Sequence, residues 1–367
     1  MALRIVSGKT ALYLRQLAAA LPPVIRRDAP LICIILIYWI CGLVLAHVAG
    51  IPPGATITTY LGTYVPMTSF MILSLILARG AVIMFHERPA RPLSQLLREI
   101  PTTLATPRRV AHALPMVAGM LLFGGTFTVI KTSIPHFAPF SWDITFEQWD
   151  RWLHGGVAPW QTLQPLLGTP SITHALDWLY DLWFYILSLI WAWQAFSLRD
   201  QTLRRQFFFT VLLGWILIGN VMAMLLSSAG PCFFGRITGL PDPYQPLMSY
   251  LAEAYRIYPF FAVEAQQILW DAYTFRELTV GAGISAMPSM HVALATLFAL
   301  VCWRVRKWLG IVMTVYALIV MIASVHLGWH YAVDGYLGAA AMIAIWWIVG
   351  RALARRAETS RRVALAD

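Results

Sequence analysis

Two short segments hold the residue types that chemistry needs. The first is Gly281-Ala-Gly-Ile-Ser-Ala-Met-Pro-Ser-Met-His291, and the second is Ser324-Val-His-Leu-Gly-Trp-His330-Tyr-Ala-Val-Asp334-Gly335. His330 and Asp334 are four residues apart, so on a helical turn they share a face. A carboxylate bonded to one imidazole nitrogen fixes the tautomer and makes the other nitrogen a better base or nucleophile. In the first segment, Pro288 suits the opening turn of a helix, which puts Ser289 and His291 in that turn. The free N–H groups there form an anion site. Gly281 and Gly283 let the preceding backbone bend closely round a ligand. His326, four residues before His330, raises the question of a metal, but no Cys or Glu completes a ligand set with it. A structural role is expected for His326, and no metal.

The elements that must carry these segments follow from composition. The 367 residues are 59% apolar and only 12% charged, with a mean hydropathy of +0.66. Soluble proteins carry about a quarter charged residues. This excludes an ordinary cytosolic enzyme and a disordered tail. Four cysteines are too few for a disulfide-built secreted module. A bilayer core needs about 20 apolar residues per helix, and eight stretches qualify: Leu31–Gly50, Tyr60–Leu77, Val110–Ile130, Ile172–Phe196, Gln206–Ser228, Met287–Trp303, Leu309–Leu327 and Tyr336–Gly350. The fold class is therefore all-α, a polytopic membrane helix bundle of about eight spans. Of the 27 basic residues, 22 fall in alternate connections and tails. The positive-inside rule makes those segments and both termini cytoplasmic. The net charge of +10 is thus a topology signal, and nucleic-acid binding loses its support. One down-and-up helix pair places His291 and His330 on the same, outer side, with His291 somewhat below the surface.

Four regions are expected: a cytoplasmic amphipathic segment at 1–30, a four-helix membrane region at 31–205, a catalytic membrane core at 206–350, and a basic tail at 351–367. The outer segment 131–171 interleaves Trp142, Trp149, Trp152 and Trp160 with Asp143, Glu147 and Asp150, the pattern of an interfacial helix. The outer loop 229–286 is long enough to be a lid, a binding loop or a small subdomain. Asp177 and Asp181 lie in the outer half of the fourth span, where acidic residues are costly and often functional. They are candidates to hold hydroxyls of a polar headgroup or to pair with Arg236.

Pro288-Ser-Met-His291, followed some forty residues later by His330-x-x-x-Asp334, resembles the second and third signatures of the type 2 phosphatidic acid phosphatase superfamily. The His-Tyr-x-x-Asp form is similar to its inositolphosphotransferase and sphingomyelin-synthase-like branch, as is Asp150-Arg-Trp-Leu-His-Gly-Gly-Val-Ala-Pro-Trp160. The resemblance implies that His330 attacks phosphorus and becomes a phosphohistidine. It implies that Asp334 orients His330, that His291 protonates the leaving oxygen and then deprotonates the incoming water or alcohol, and that Ser289 and nearby N–H groups bind phosphate oxygens. It implies no metal or organic cofactor. Where the phosphatase branch carries an arginine six residues before its last histidine, this chain has Ser324. The first signature, a lysine with Arg-Pro seven and eight residues later, finds Gly230-Pro-Cys-Phe-Phe-Gly-Arg236 roughly in its place. Arg236 is therefore the first candidate to neutralise the phosphate, and Arg276 the second.

The expected function is an integral membrane enzyme that cleaves or transfers a phosphorylated lipid headgroup at the outer face. Water as acceptor makes it a polyprenyl or phosphatidate-type phosphatase, and an alcohol makes it a transferase of a polar, inositol-phosphate-like headgroup. The resemblance leans slightly to transfer. The partners are the membrane and a lipid phosphate. The charge pattern suggests a bacterial inner membrane with the site facing the periplasm. A transporter or flippase calls for charged or broken helices at the midplane, whereas the polar residues here gather at the outer ends. A silent scaffold is disfavoured by the paired histidines and aspartate.

Overall fold

The computed structural model describes residues 2–52, 54–278, 281 and 283–364. Among them there is no strand. The helices are α1 (Ala2–Val48), α2 (Ala55–Val82), α3 (Pro92–Glu99), α4 (Pro107–Phe137), α5 (Asp143–Leu153), α6 (Pro159–Leu167), α7 (Pro170–Phe196), α8 (Gln201–Ile216), α9 (Ala223–Leu225), α10 (Phe234–Thr238), α11 (Gln245–Ile257), α12 (Phe261–Phe275), α13 (Met290–Val305), α14 (Lys307–His326) and α15 (Ala332–Ala364). Local sequence sets many of the starts. Thr106 and Asp200 accept N–H bonds from Arg109 and Leu203 as N-caps, and Pro92, Pro107, Pro159 and Pro170 occupy first turns, where a missing N–H costs nothing.

Six stretches are long and apolar enough to cross a bilayer: Thr10–Val48, Thr68–Glu87, Pro107–Phe137, Gln201–Leu225, Lys307–His326 and Ala332–Thr359. The other two expected spans are also helices, but of a different kind. The α13 helix has 16 residues, about 24 Å, and α7 is diluted by Asp177, Asp181 and several indole and phenol side chains. Both lie within the bundle. Ala293, Leu294, Ala295, Leu297 and Phe298 of α13 are wholly buried, and α13 packs against α7, α8, α14 and α15. One-residue turning at Arg306 makes α13 and α14 antiparallel neighbours.

The separate amphipathic segment expected at 1–30 is not a separate element, because α1 runs unbroken from Ala2 to Val48. Two of its charged residues, Arg27 and Asp28, are paired. Asp28, buried, accepts from Arg204 at 3.0 and 2.9 Å and from Arg27 at 2.9 and 2.8 Å. A buried charge is tolerated when it is neutralised and fully hydrogen-bonded. Likewise Lys131 belongs to α4 rather than to an interfacial segment. The interfacial pattern is realised in α5, where Trp149 and Trp152 are exposed, while Trp160 on α6 is buried. The loop expected at 229–286 carries α10, α11 and α12. It closes at its base, where the Ala286 N–H donates to the Ser228 carbonyl at 2.9 Å.

Candidate active site

The helix opened by the first segment starts at Met290, two residues beyond Pro288. Ser289 is its N-cap, its hydroxyl accepting the Val292 N–H at 3.4 Å. The Met287–Pro288 peptide is cis. The Ser289 N–H donates to the Asp334 carbonyl at 3.0 Å, which clamps the first segment directly to the second. A Cβ on Gly338 would lie 2.6 Å from the Ser289 carbonyl oxygen, so glycine lets α15 approach this closely. Ser289 is fully buried and its hydroxyl is occupied by the cap.

The turn between α14 and α15 carries the second segment. The Trp329 and His330 N–H groups both donate to the Ser324 carbonyl, at 3.0 and 3.1 Å. Ser324 is fully buried, which leaves no room for an arginine there. His330 Nδ1 lies 3.2 Å from Asp334 Oδ2, and the same oxygen accepts the Tyr331 N–H at 3.0 Å. Asp334 Oδ1 is buried without a hydrogen-bond partner. With Nδ1–H donated to the carboxylate, Nε2 carries the lone pair. Burial, and after it the positive charge of Lys131, hold the His330 pKa down to about 3, against a smaller opposite pull from the Ala286 backbone. The ring is therefore neutral at pH 7.

Two carboxylates from α5 hold this turn, and both were read only as part of an amphipathic helix. Asp150 accepts the Ala332 and Val333 N–H groups at 2.8 and 2.9 Å, capping α15. Asp143 accepts the Ala229 and Gly230 N–H groups and the Tyr331 hydroxyl, the last at 2.9 Å. Burial raises the pKa of both, that of Asp150 to about 6, and the N–H bonds pull the other way.

His291 stands on the first turn of α13, which the Ser289–Asp334 bond holds against the turn carrying His330; the space between these two segments is the candidate chamber. Its ring stacks on Tyr180 with centroids 4.5 Å apart and leans on Trp183 at 4.5 Å. The Trp183 indole N–H donates to the His291 carbonyl at 3.1 Å. These two aromatics of α7 thus fix a candidate acid–base histidine. His291 lies within electrostatic reach of His330 and Lys131.

Lys131, half-buried on α4, is the residue that the sequence reading missed. The cause of its closeness is Gly283. This glycine has φ +101°, and a Cβ there would come within 2.9 Å of the Lys131 backbone and 3.0 Å of its Cγ. Gly283 thus serves packing on Lys131, rather than a bend round a ligand. A signal was present. Lys131 is followed seven and eight residues later by Ala138-Pro139, the spacing of the first signature with alanine in place of arginine.

The remaining candidates fall elsewhere. Arg236, exposed on α10, lies over the Trp270 ring at 4.9 Å and does not reach the histidines. Arg276, exposed at the end of α12, lines a separate cavity. Both oxygens of Asp177 accept N–H bonds at 2.9 Å from Phe261 and Ala262, capping α12. It pairs with no arginine and has no oxygen left free for a headgroup. Asp181 is half-buried and has no hydrogen-bond or ionic partner among the described residues. His326 Nε2 bonds the Thr173 hydroxyl at 2.9 Å, which ties α14 to α7.

The profile of the PAP2 superfamily matches residues 144–348, more than half of the chain. The chain belongs to the PAP2 superfamily. The matched part runs from α5 into α15 and contains His291, His330 and Asp334, while Lys131 lies upstream of it. No curated protein and no solved structure matches the chain. Superfamily membership and the apolar helices together fit a membrane lipid phosphatase.

Proposed function

We propose that this PAP2 protein acts on a lipid phosphate through a phosphohistidine, without a metal or organic cofactor. The carrying observation is His330 oriented by Asp334, with His291 and Lys131 within electrostatic reach of it. His330 Nε2 attacks phosphorus as the P–O bond to the leaving group breaks, and protonated His291 gives its proton to the departing oxygen. Water or an alcohol then loses a proton to His291 and attacks, and the N–P bond breaks. Lys131 and the N–H groups at the start of α13 offset the charge on the phosphoryl oxygens. The basic-residue pattern supports an outer placement of the chamber, with both termini cytoplasmic, and the same reading takes the membrane to be a bacterial inner membrane.

Transfer to an alcohol is the second reading. It is favoured by the unpartnered Asp181 beside Tyr180, which offers a carboxylate to an acceptor hydroxyl. Under this reading the chain sits with the inositolphosphotransferase-like branch. The test uses purified protein and labelled phosphatidate or polyprenyl phosphate, with chelator present and with or without polyol acceptors. Acid-labile, base-stable label on the wild type but not on His330→Ala supports the phosphohistidine. Turnover by His330→Ala refutes it. Inorganic phosphate as sole product, unchanged by acceptors or by Asp181→Ala, rejects transfer.

A further inference from the structure

A cavity of about 400 Å³ opens beside the chamber, lined by Gly50, Ile51, Pro52, Ala55, Thr58, Thr59, Thr132, Arg276 and Leu278. Arg276 and Thr132 give it its chemistry. Arg276 ends α12 with φ +55°, and its guanidinium has no hydrogen-bond or ionic partner among the described residues. Thr58 and Thr59 donate their hydroxyl protons to the Gly54 and Ala55 carbonyls, so neither supplies a donor to an anion. The Thr132 hydroxyl is buried and unpartnered. A buried hydroxyl without a partner is costly and marks a site where a ligand or water completes it. No carboxylate lines the cavity, so Arg276 is its net charge.

The position matters as much as the chemistry. Gly283 packs on the backbone joining Lys131 and Thr132. Lys131 is thus within electrostatic reach of the histidines, while its neighbour Thr132 lines the cavity. The other walls are the ends of α1 and α2 on the side of the bundle that carries the histidines. Just along those helices, Val44, Val48 and Leu61 are exposed apolar residues, a surface suited to acyl chains. A headgroup in the cavity would leave its chains on that apolar flank.

We propose that this cavity binds the phosphate of an anionic membrane lipid as a second anion site, separate from the one at His330. Arg276 supplies the charge and a bidentate donor fork, and Thr132 supplies a hydroxyl donor. The proposal rests on the chamber being a phosphate site, because it gives a neighbouring lipid a reason to be held there. Its own test is binding, not turnover.

The full chain carrying His330→Ala and Lys131→Met is reconstituted in nanodiscs of zwitterionic lipid and titrated with short-chain phosphatidate. In separate arms it is titrated with inorganic phosphate and with the matching diacylglycerol. The expected result is one saturable phosphatidate site that survives both substitutions. Arg276→Gln should weaken that site by roughly tenfold or more, the value of one charge-assisted contact. Thr132→Val should weaken it less, and Arg276→Lys should restore part of the loss. Inorganic phosphate and diacylglycerol should each bind far more weakly than phosphatidate. Three results would overturn the proposal: no phosphatidate site in the double variant, affinity unmoved by Arg276→Gln, or inorganic phosphate binding as tightly as the lipid. Failure of the phosphohistidine reading appears separately, as turnover by His330→Ala alone.

Discussion

Replacing Lys131 by methionine removes a charge and leaves the stem that packs on Gly283. At an effective dielectric near 20, a unit charge about 4 Å from a phosphoryl oxygen contributes roughly 4 kcal/mol, or about a thousandfold in rate. Single donors to a developing oxyanion are worth about 10²–10³, so kcat/KM for a lipid phosphate should fall by roughly that factor. A second readout follows from the same charge. Lys131 helps hold His330 at a pKa of about 3, yet burial is the larger cause. The methionine variant should raise the His330 pKa while leaving it under its ordinary value near 6.5. The assay pairs steady-state kinetics in detergent micelles with NMR titration of ¹⁵N-labelled histidine. A loss under about tenfold in a variant with unchanged Tm, or a His330 pKa that does not move, would refute the placement of this charge in the chamber.

Further expectations concern the turn and its supports. Asp334→Asn should keep substrate binding and lower kcat by about 10²–10⁴, because the imidazole loses its orienting acceptor; an equal rise in KM with unchanged kcat would contradict this. His291→Ala should slow substrates with poor leaving groups most, read from a series of phosphate esters of rising leaving-group pKa. Asp150→Ala should cost about 1–3 kcal/mol, since two buried N–H groups of α15 lose their acceptor, whereas Arg236→Ala should change kcat/KM less than about threefold; thermal melts and kinetics check both. His330 should stay neutral through pH 5–8. Its folded pKa of about 3 lies below the unfolded value near 6.5, so it takes up a proton on unfolding between these values. Its contribution to stability is full above about pH 6.5 and is lost as pH falls toward 3. An NMR titration of His330 with a midpoint near 6.5 would contradict the burial of the ring.

Hydropathy was enough to recover the helical membrane fold and the eight apolar stretches as helices, and the i,i+4 spacing anticipated the contact of His330 with Asp334. Apolar runs and i,i+4 pairs are local patterns, and a bilayer imposes helix on such runs because every backbone polar group must be satisfied within the segment. What local pattern could not give is which polar groups meet across the bundle. Asp143 and Asp150 read as the wet face of an amphipathic helix, but they bond groups at Ala229, Gly230, Tyr331, Ala332 and Val333. Asp177 read as a headgroup ligand, yet it caps a helix that begins at Phe261. Asp28 read as part of a surface segment, and the partner that allows its burial is Arg204. Lys131 was hidden because its motif keeps the spacing and proline but lacks the arginine, and only the approach of Gly283 brings it to the histidines. A carboxylate or ammonium in a low-dielectric bundle must find a partner or pay its full desolvation. The type and position of each charge are written in the sequence, but the choice of partner belongs to the packing of the helices.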